Sequence, residues 1–118
     1  MLNTEQLRQL VLRTLDDMKA VDVADLDVHD MTSVTDRMIL ASGTSDRHVR
    51  ALADAVVMAC KKAGVQPLGV EGEREGEWVL VDLGDVVVHV MQPRVREFYA
   101  LEKLWSVAEQ KRERSDQT

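Results

Sequence analysis

Residues 77–91 read EWVLVDLGDVVVHVM. Two runs rich in valine and leucine flank the pair Leu83-Gly84, a pattern that is typical of two antiparallel β-strands joined by a tight turn. We expect the strands to cover 77–82 and 86–91. A two-residue turn at Leu83-Gly84 predicts three facing pairs on one side of the hairpin: Asp82 with Asp85, Leu80 with Val87, and Trp78 with His89.

The two sides of this hairpin differ in their chemistry. One side consists of valines and is expected to face the core: Val79, Val81, Val86, Val88 and Val90. The other presents Trp78 beside Asp82 and Asp85, and such a side suits a partner protein, because like charges opposite one another modestly destabilise a hairpin. The spacing is equally compatible with a helix that covers Trp78 and Leu80 while the aspartates keep the turn soluble.

Two further segments have the apolar spacing of amphipathic helices. The first covers about residues 4–19, with Asn3 as its N-cap and Gln6 placed to complete a capping box. The second follows the loop Ser42-Gly43-Thr44-Ser45, and its apolar stripe comprises Val49, Leu52, Ala53, Val56 and Cys60. Cys60 is therefore expected to be a buried small residue rather than a nucleophile.

The remaining segments complete the predicted fold. Strands are expected at 25–29, 37–41 and 67–71. Pro93 ends the last strand and begins a helix that continues to about residue 108. The order α-β-β-α-β-β-β-α predicts an α/β fold, a mixed sheet of about five strands flanked by helices. We expect one domain over residues 1–108 and a polar, frayed or disordered tail over 109–118.

Composition limits the classes of function. The chain has 118 residues, of which 45% are hydrophobic, enough for one core. With 15 basic and 21 acidic residues, its net charge of −6 disfavours a protein that wraps a phosphate backbone and suits a basic partner. The single cysteine indicates a reducing compartment without disulfides. Since no apolar run has the length of a signal peptide or a membrane span, we expect a cytoplasmic protein without membrane contact.

One pattern supports an alternative, enzymatic hypothesis. Asp25 and Asp27 lie two apart on a predicted strand, so both carboxylates share one face, as two Mg²⁺ ligands would. The Ser42–Ser45 loop before a helix has some likeness to a phosphate-holding turn. Together they suggest a metal-dependent nucleotide-binding or nucleotidyl-transfer enzyme. Against it, the loop has one glycine and no lysine, and it follows the acidic pair. The simpler interpretation is that Ser45 caps the helix and Asp46 complements its dipole.

Other catalytic patterns lack support. His29, His48 and His89 are scattered, without the spacing of a zinc site. No nucleophile-elbow pattern marks a serine. Tyr99 lies one position off the apolar stripe of the last helix, so it is a candidate for an exposed aromatic anchor, with an adjacent core position as the alternative. We therefore expect no catalytic residue, no metal and no cofactor.

Short motifs along nearly the whole chain match a known family in the right order. They are Leu26-Asp27-Val28, Thr35-Asp36 with Met38-Ile39, Gly43-Thr44-Ser45 with Arg47-His48-Val49, Gly69-Val70-Glu71-Gly72, Trp78, Asp82-Leu83-Gly84-Asp85-Val86, His89-Val90-Met91, Tyr99, Leu101-Glu102 and Leu104-Trp105. On these motifs the chain resembles the bacterial ribosomal silencing factors, the RsfS or Iojap-like family. The first helix and the tail show the only variation.

The resemblance implies a fold similar to nucleotidyltransferases without their catalytic set, and a non-enzymatic function. Family members bind the large ribosomal subunit at its ribosomal protein number fourteen, block association with the small subunit, and repress translation under nutrient limitation. The contact surface implied here comprises Trp78, Asp82, Asp85, His89, Met91 and Tyr99. We expect no direct sequence-specific binding of nucleic acid, and a homodimer through the same hairpin face remains open.

Overall fold

The computed structural model describes residues 2–28 and 36–99. Three helices and five strands follow one another in the predicted order, which is thereby confirmed. They are α1 (Thr4–Asp17), β1 (Val21–Asp27), β2 (Arg37–Ser42), α2 (Asp46–Lys62), β3 (Gly69–Glu71), β4 (Trp78–Asp82), β5 (Val86–Met91) and α3 (Pro93–Tyr99). The predicted continuation of the last helix, the tail over 109–118 and the domain limit at residue 108 lie outside the described residues.

The five strands form one mixed sheet in the order β1-β2-β5-β4-β3. Strands β2 and β5 pair in parallel, whereas the pairs β1–β2, β4–β5 and β3–β4 are antiparallel. This confirms the predicted α/β class with a mixed five-stranded sheet. Among residues 2–28 and 36–99, no helix is both long enough and apolar enough to cross a membrane.

The main core lies between the sheet and the helices α1 and α2. The predicted valine side of the hairpin is fully buried there, as are the predicted stripe of α2 and the inward residues of α1. These are Val79, Val81, Val86, Val88 and Val90 of the hairpin, Val49, Leu52, Ala53, Val56 and Cys60 of α2, and Leu7, Val11 and Leu15 of α1. Burial of this apolar surface is the largest favourable term for folding.

Both long helices begin where their caps predict. The Asn3 side chain accepts a hydrogen bond from the backbone N–H of Gln6 at 2.8 Å, and the Gln6 side chain accepts one from the Asn3 N–H at 3.0 Å. This is the expected capping box. Ser45 caps α2, because its hydroxyl accepts the backbone N–H of His48 at 3.1 Å. Each cap satisfies N–H groups that the first helical turn leaves without partners.

The register of the central hairpin differs from the prediction. The strands pair Trp78 with Met91, Leu80 with His89, and Asp82 with Val87. The Leu83 N–H donates to the Val86 carbonyl at 2.9 Å, so the two turn residues are Gly84 and Asp85. Gly84 has φ of +89°, which a two-residue hairpin turn favours at its first central position and which leucine would strongly disfavour. The shift of two residues leaves the side chains of both strands on their predicted faces, whereas Asp85 moves from a position facing Asp82 into the turn.

Strand β1 also differs from its predicted limits of 25–29. It begins at Val21 and ends at Asp27, with an irregular register against β2 between Val21 and Ala24. Asp22 lies in the irregular part with φ of +50°. A local bulge of this kind breaks the strict alternation on which a prediction from sequence depends. Strand β3 is shorter than predicted and starts at Gly69, and predicted residue His29 lies outside the described part.

Gly72 follows β3 at a position that only glycine fits. Its φ is +86°, and a Cβ there would lie 2.0 Å from the backbone carbonyl oxygen of Trp78. Gly69, at the other end of the same short strand, has open space around the position of a Cβ. This close approach therefore requires a glycine at the point where the chain leaves β3 and enters the loop that leads to β4.

We expect Gly72→Ala to lower the free energy of unfolding by at least about 2 kcal/mol, because both the positive φ and the contact with the Trp78 carbonyl oppose a methyl group. Gly69→Ala is the matched control and should change it by less than about 0.5 kcal/mol. Urea unfolding followed by circular dichroism measures both. Equal stability of the two variants would contradict the packing described at Gly72.

Candidate partner-binding site

The face of the sheet that points away from α1 and α2 carries most of the predicted contact residues. We call it the outer face. On the hairpin it comprises Trp78, Leu80, Asp82, Val87, His89 and Met91. Val95 of α3 packs against a small cluster on this face, formed by Val28, Met38, Leu40 and Met91. Trp78 and Leu80 remain half-buried, so in the described part of the chain α3 covers the outer face only in part.

Trp78 and His89 form a fixed pair on the outer face. The indole Nε1–H donates to Nδ1 of His89 at 3.0 Å, and the two ring centroids are 5.8 Å apart with the planes tilted by 47°. An indole nitrogen can only donate, so Nδ1 is the acceptor and the neutral imidazole carries its proton on Nε2. The hydrogen bond joins residues of neighbouring strands that are not directly opposite each other. It restricts the orientation of the indole at the centre of the predicted contact surface.

A pocket of about 270 Å³ opens beside this pair. It is lined by Glu71, Gly72, Trp78, Leu80 and His89. Glu71 reaches the pocket because β3 pairs with β4 so that Glu71 lies opposite Leu80. Reasoning from the sequence did not single out Glu71 or Gly72 as site residues. The signal in the sequence is their motif, Gly69-Val70-Glu71-Gly72, which is one of the motifs that carry the resemblance.

The predicted register places Asp82 and Asp85 opposite each other. In the structure these two aspartates do not face each other. Asp82 lies on the outer face, and its Oδ1 accepts the Gly84 N–H at 2.9 Å, which stabilises the turn. Asp85 Oδ2 accepts the hydroxyl of Thr4 in α1 at 3.0 Å. The Asp85 carbonyl also accepts the N–H groups of Asp36 and Arg37, each at 3.0 Å. Asp85 thus contacts elements on the side of the helices, and the expected carboxylate pair beside Trp78 is wrong.

The two remaining predicted contact residues are Met91 and Tyr99. The structure describes the side chain of Met91 but not that of Tyr99. Met91 pairs with Trp78 across the strands and is fully buried within the described part of the chain. It therefore packs beside Trp78 rather than presenting its own surface. Tyr99 is the last residue of α3, and its side chain lies outside the described residues. Of the six predicted residues, Trp78, Asp82, His89 and Met91 share the outer face.

The residues of the alternative enzymatic hypothesis are used in structural contacts. Asp25 forms ion pairs with Arg8 of α1, with atoms 3.0 Å apart, and with Arg37, 3.7 Å apart. Asp25 and Asp27 do share a face, as predicted, because their partners in β2 are Ile39 and Arg37. Within residues 2–28 and 36–99, no group of three acidic, histidine or cysteine side chains is placed to hold a metal ion. The two arginines neutralise the carboxylate that a metal would need.

The Ser42–Ser45 loop likewise uses its polar groups within the fold. The Gly43 N–H donates to the Met91 carbonyl at 3.0 Å, and the Thr44 N–H donates to Nδ1 of His48 at 2.9 Å. The Ser42 hydroxyl accepts Nη1 of Arg96 at 3.1 Å. A phosphate-binding turn requires backbone N–H groups that point at the ligand. Two of the N–H groups in this loop are already engaged with protein atoms.

Cys60 and His48 have structural positions. Cys60 is fully buried in the core, and burial raises the pKa of its thiol. The prediction of a buried small residue is confirmed. His48 joins two elements, because its Nδ1 accepts the Thr44 N–H and its Nε2 contacts the Met18 carbonyl at 2.9 Å. The Thr44 N–H can only donate, so Nε2 carries the proton that Met18 accepts.

Burial lowers the pKa of His89 from 6.5 to about 4. As the pH falls below 6.5, the unfolded chain takes up a proton at this residue while the folded protein does not, so the folded state loses stability. Between pH 7 and pH 5, we expect the free energy of unfolding of the natural protein to fall by about 1–2 kcal/mol more than that of His89→Gln. Glutamine still offers an acceptor to Trp78 but does not titrate. Urea unfolding at both pH values measures this, and identical pH dependence of the two proteins would contradict a neutral, buried His89.

Comparison with known proteins agrees with the resemblance. A family model described as "Ribosomal silencing factor during starvation" (RsfS) matches residues 2–118. The chain is 50% identical over 101 residues to Ribosomal silencing factor RsfS of Chromobacterium violaceum, covering 86% of this chain and 83% of that protein. It is 46% identical over 100 residues to the protein of the same name from Haemophilus influenzae, covering 85% and 98%.

The fold agrees as well. An X-ray crystal structure of a protein from Chromobacterium violaceum superposes with a TM-score of 0.87 at 48% sequence identity, covering 89% of this chain and 88% of that one. The residues matched by the family model include the central hairpin, the pocket residues and both long helices. The chain therefore belongs to the RsfS family of ribosomal silencing factors.

Proposed function

We propose that this protein is a non-catalytic ribosomal silencing factor that binds the large ribosomal subunit in the cytoplasm. Its contact there is the basic ribosomal protein number fourteen, and the bound protein blocks association with the small subunit and represses translation under nutrient limitation. The observation that carries the proposal is membership of the RsfS family over residues 2–118. The outer face of the hairpin supplies a physical account of the contact.

The centre of the proposed contact is an aromatic side chain on a rigid support. Trp78 is held by His89 and lies across from the buried Met91 in a strand that pairs on both sides. Aromatic residues of this kind dominate protein interfaces because they bury a large area with few rotatable bonds. Tyr99, at the end of α3, is proposed to extend this surface. A preformed surface keeps the entropy cost of binding low.

Acidic residues around Trp78 suit a basic partner. Asp82 lies on the outer face two residues beyond Leu80, and Glu71 borders the pocket. Complementary charge increases the rate of encounter and orients the two proteins, whereas apolar burial supplies most of the affinity. The overall charge of −6 opposes direct binding to ribosomal RNA, so a basic ribosomal protein is the better target.

A homodimer through the outer face would compete with the ribosome. The same aromatic surface would be buried in either assembly, because an isologous dimer uses one patch twice. Binding to the large subunit would then require dissociation of the dimer. We therefore propose the monomer as the form that acts on the ribosome.

We expect Trp78→Ala to weaken binding to purified large ribosomal subunits by at least about 1–2 kcal/mol, which is roughly 5- to 30-fold in the dissociation constant, the usual cost of removing an aromatic anchor. Tyr99→Ala is expected to have an effect on the same scale, and the double variant to lose co-sedimentation. Co-sedimentation over a range of protein concentrations measures the change, with circular dichroism to verify the fold.

Met58→Ala is the control for this experiment. Met58 is a large apolar side chain, 70% exposed on α2, a helix that packs on the opposite face of the sheet. Its removal should leave binding unchanged. Full co-sedimentation of a folded Trp78→Ala, Tyr99→Ala double variant would rule out the outer face as the contact surface.

A further inference from the structure

The pocket beside Trp78 is bordered by a hydrogen-bond donor that no other described residue uses. His89 is 9% exposed and lines the pocket. Its Nδ1 accepts the Trp78 indole, so its proton is on Nε2. Within the described residues no hydrogen bond involves Nε2. The pocket is the open space that His89 borders, so this N–H can donate to an acceptor atom of a ligand.

The same pocket contains a carboxylate that has no counter-ion in the part of the chain that the structure describes. Glu71 lines it, and within residues 2–28 and 36–99 the Glu71 carboxylate has no ion pair or side-chain hydrogen bond. By contrast, Glu77 pairs with Arg94 at 2.9 Å, and Asp25 pairs with two arginines. The segment 71–77, which includes Glu71, contains four glutamates and one arginine and is therefore negative overall. An anionic ligand such as a phosphate or a nucleic acid is disfavoured here.

The walls and the size of the pocket define the ligand further. Trp78 provides an indole and Leu80 an aliphatic wall, between the carboxylate of Glu71 and the N–H of His89. A volume of about 270 Å³ is smaller than the roughly 300–1,000 Å³ of most small-molecule and cofactor sites, so it suits a single side chain rather than a nucleotide. A long apolar stem that ends in a cation matches these walls, because such stems lie on apolar surface while the charged end meets a carboxylate.

We propose that this pocket binds the side chain of an arginine from the basic partner, with the guanidinium at Glu71, the stem along Trp78 and Leu80, and a backbone carbonyl of the same residue accepting the Nε2–H of His89. Arginine fits better than lysine, because its planar guanidinium pairs with a carboxylate through two hydrogen bonds and stacks on aromatic rings. This inference rests on the proposed function, and it names the chemistry of the partner group that the outer face recognises.

The pocket can be tested without the ribosome. N-acetyl-arginine amide contains the guanidinium, the stem and the carbonyl, and N-acetyl-citrulline amide is a neutral molecule of nearly the same shape. The probe is the indole N–H resonance of Trp78 in a ¹⁵N-labelled protein at pH 7, assigned with Trp78→Phe because the chain has two tryptophans. We expect saturable shifts with the arginine compound, with a dissociation constant on the order of millimolar. Glu71→Gln should weaken this binding at least about fivefold, since a charge-assisted contact is lost.

Two results would overturn the inference in this titration. One is the absence of any shift with the arginine compound. The other is an equal response to the arginine and citrulline compounds, since it would mean that the carboxylate does not select a cation. Glu73→Gln is the matched control, because it removes the same charge two residues away and does not line the pocket. It should leave the response to arginine unchanged.

Co-sedimentation with large ribosomal subunits separates this inference from the proposed function. If both hold, Glu71→Gln weakens binding at least about fivefold and Glu73→Gln binds like the natural protein. If all three proteins bind equally, the proposed function stands and the arginine pocket is wrong as a contact with the partner. If the natural protein does not bind at all, the proposed function fails, and the titration alone decides what the pocket accepts.

Discussion

The pairing of β5 with β2 on one edge and β4 on the other organises this protein. Its valines Val86, Val88 and Val90 are buried against the helices, while His89 and Met91 occupy the opposite face. A strand that is bonded on both edges cannot shift its register without breaking two ladders and moving its apolar side chains out of the core. The turn at Gly84 and Asp85 strengthens this constraint, because the Asp85 carbonyl also accepts two N–H groups at the start of β2. The outer face is therefore a rigid surface before any partner arrives.

That rigidity fits the proposal that this small acidic chain presents Trp78 to a partner. The indole is held by His89 and lies across from a buried methionine. His89 is neutral because burial lowers its pKa, so its acceptor atom is available to Trp78 at neutral pH. Asp82 stabilises the turn and faces the same side. The negative charge at this surface comes from Asp82 and the segment around Glu71, whereas Asp85 belongs to the contact with α1.

Much of the fold could be predicted from the sequence, because local patterns decide it. The capping box at Asn3, the stripe of α2 and the valine side of the hairpin are properties of neighbouring residues, and the structure confirms each of them. The hairpin register was wrong because Leu83-Gly84 and Gly84-Asp85 are both plausible turns, and the choice depends on which residue can adopt a positive φ. The pocket was not predicted because Glu71 reaches it through the pairing of β3 with β4, and the register of that pairing is not visible in the sequence of either strand alone. The resemblance to RsfS carries the proposed function, which the other residue patterns do not indicate.

We propose that a rigid surface on this protein occupies the large subunit where the small subunit would otherwise join. A subunit-joining assay tests this mode of action. Purified large subunits are incubated with excess protein, small subunits and Mg²⁺ are then added, and light scattering or a sucrose gradient reports the joined ribosomes. We expect joining to fall in proportion to the fraction of large subunits that carry the protein. Undiminished joining at concentrations where the protein co-sediments fully with the large subunit would contradict it.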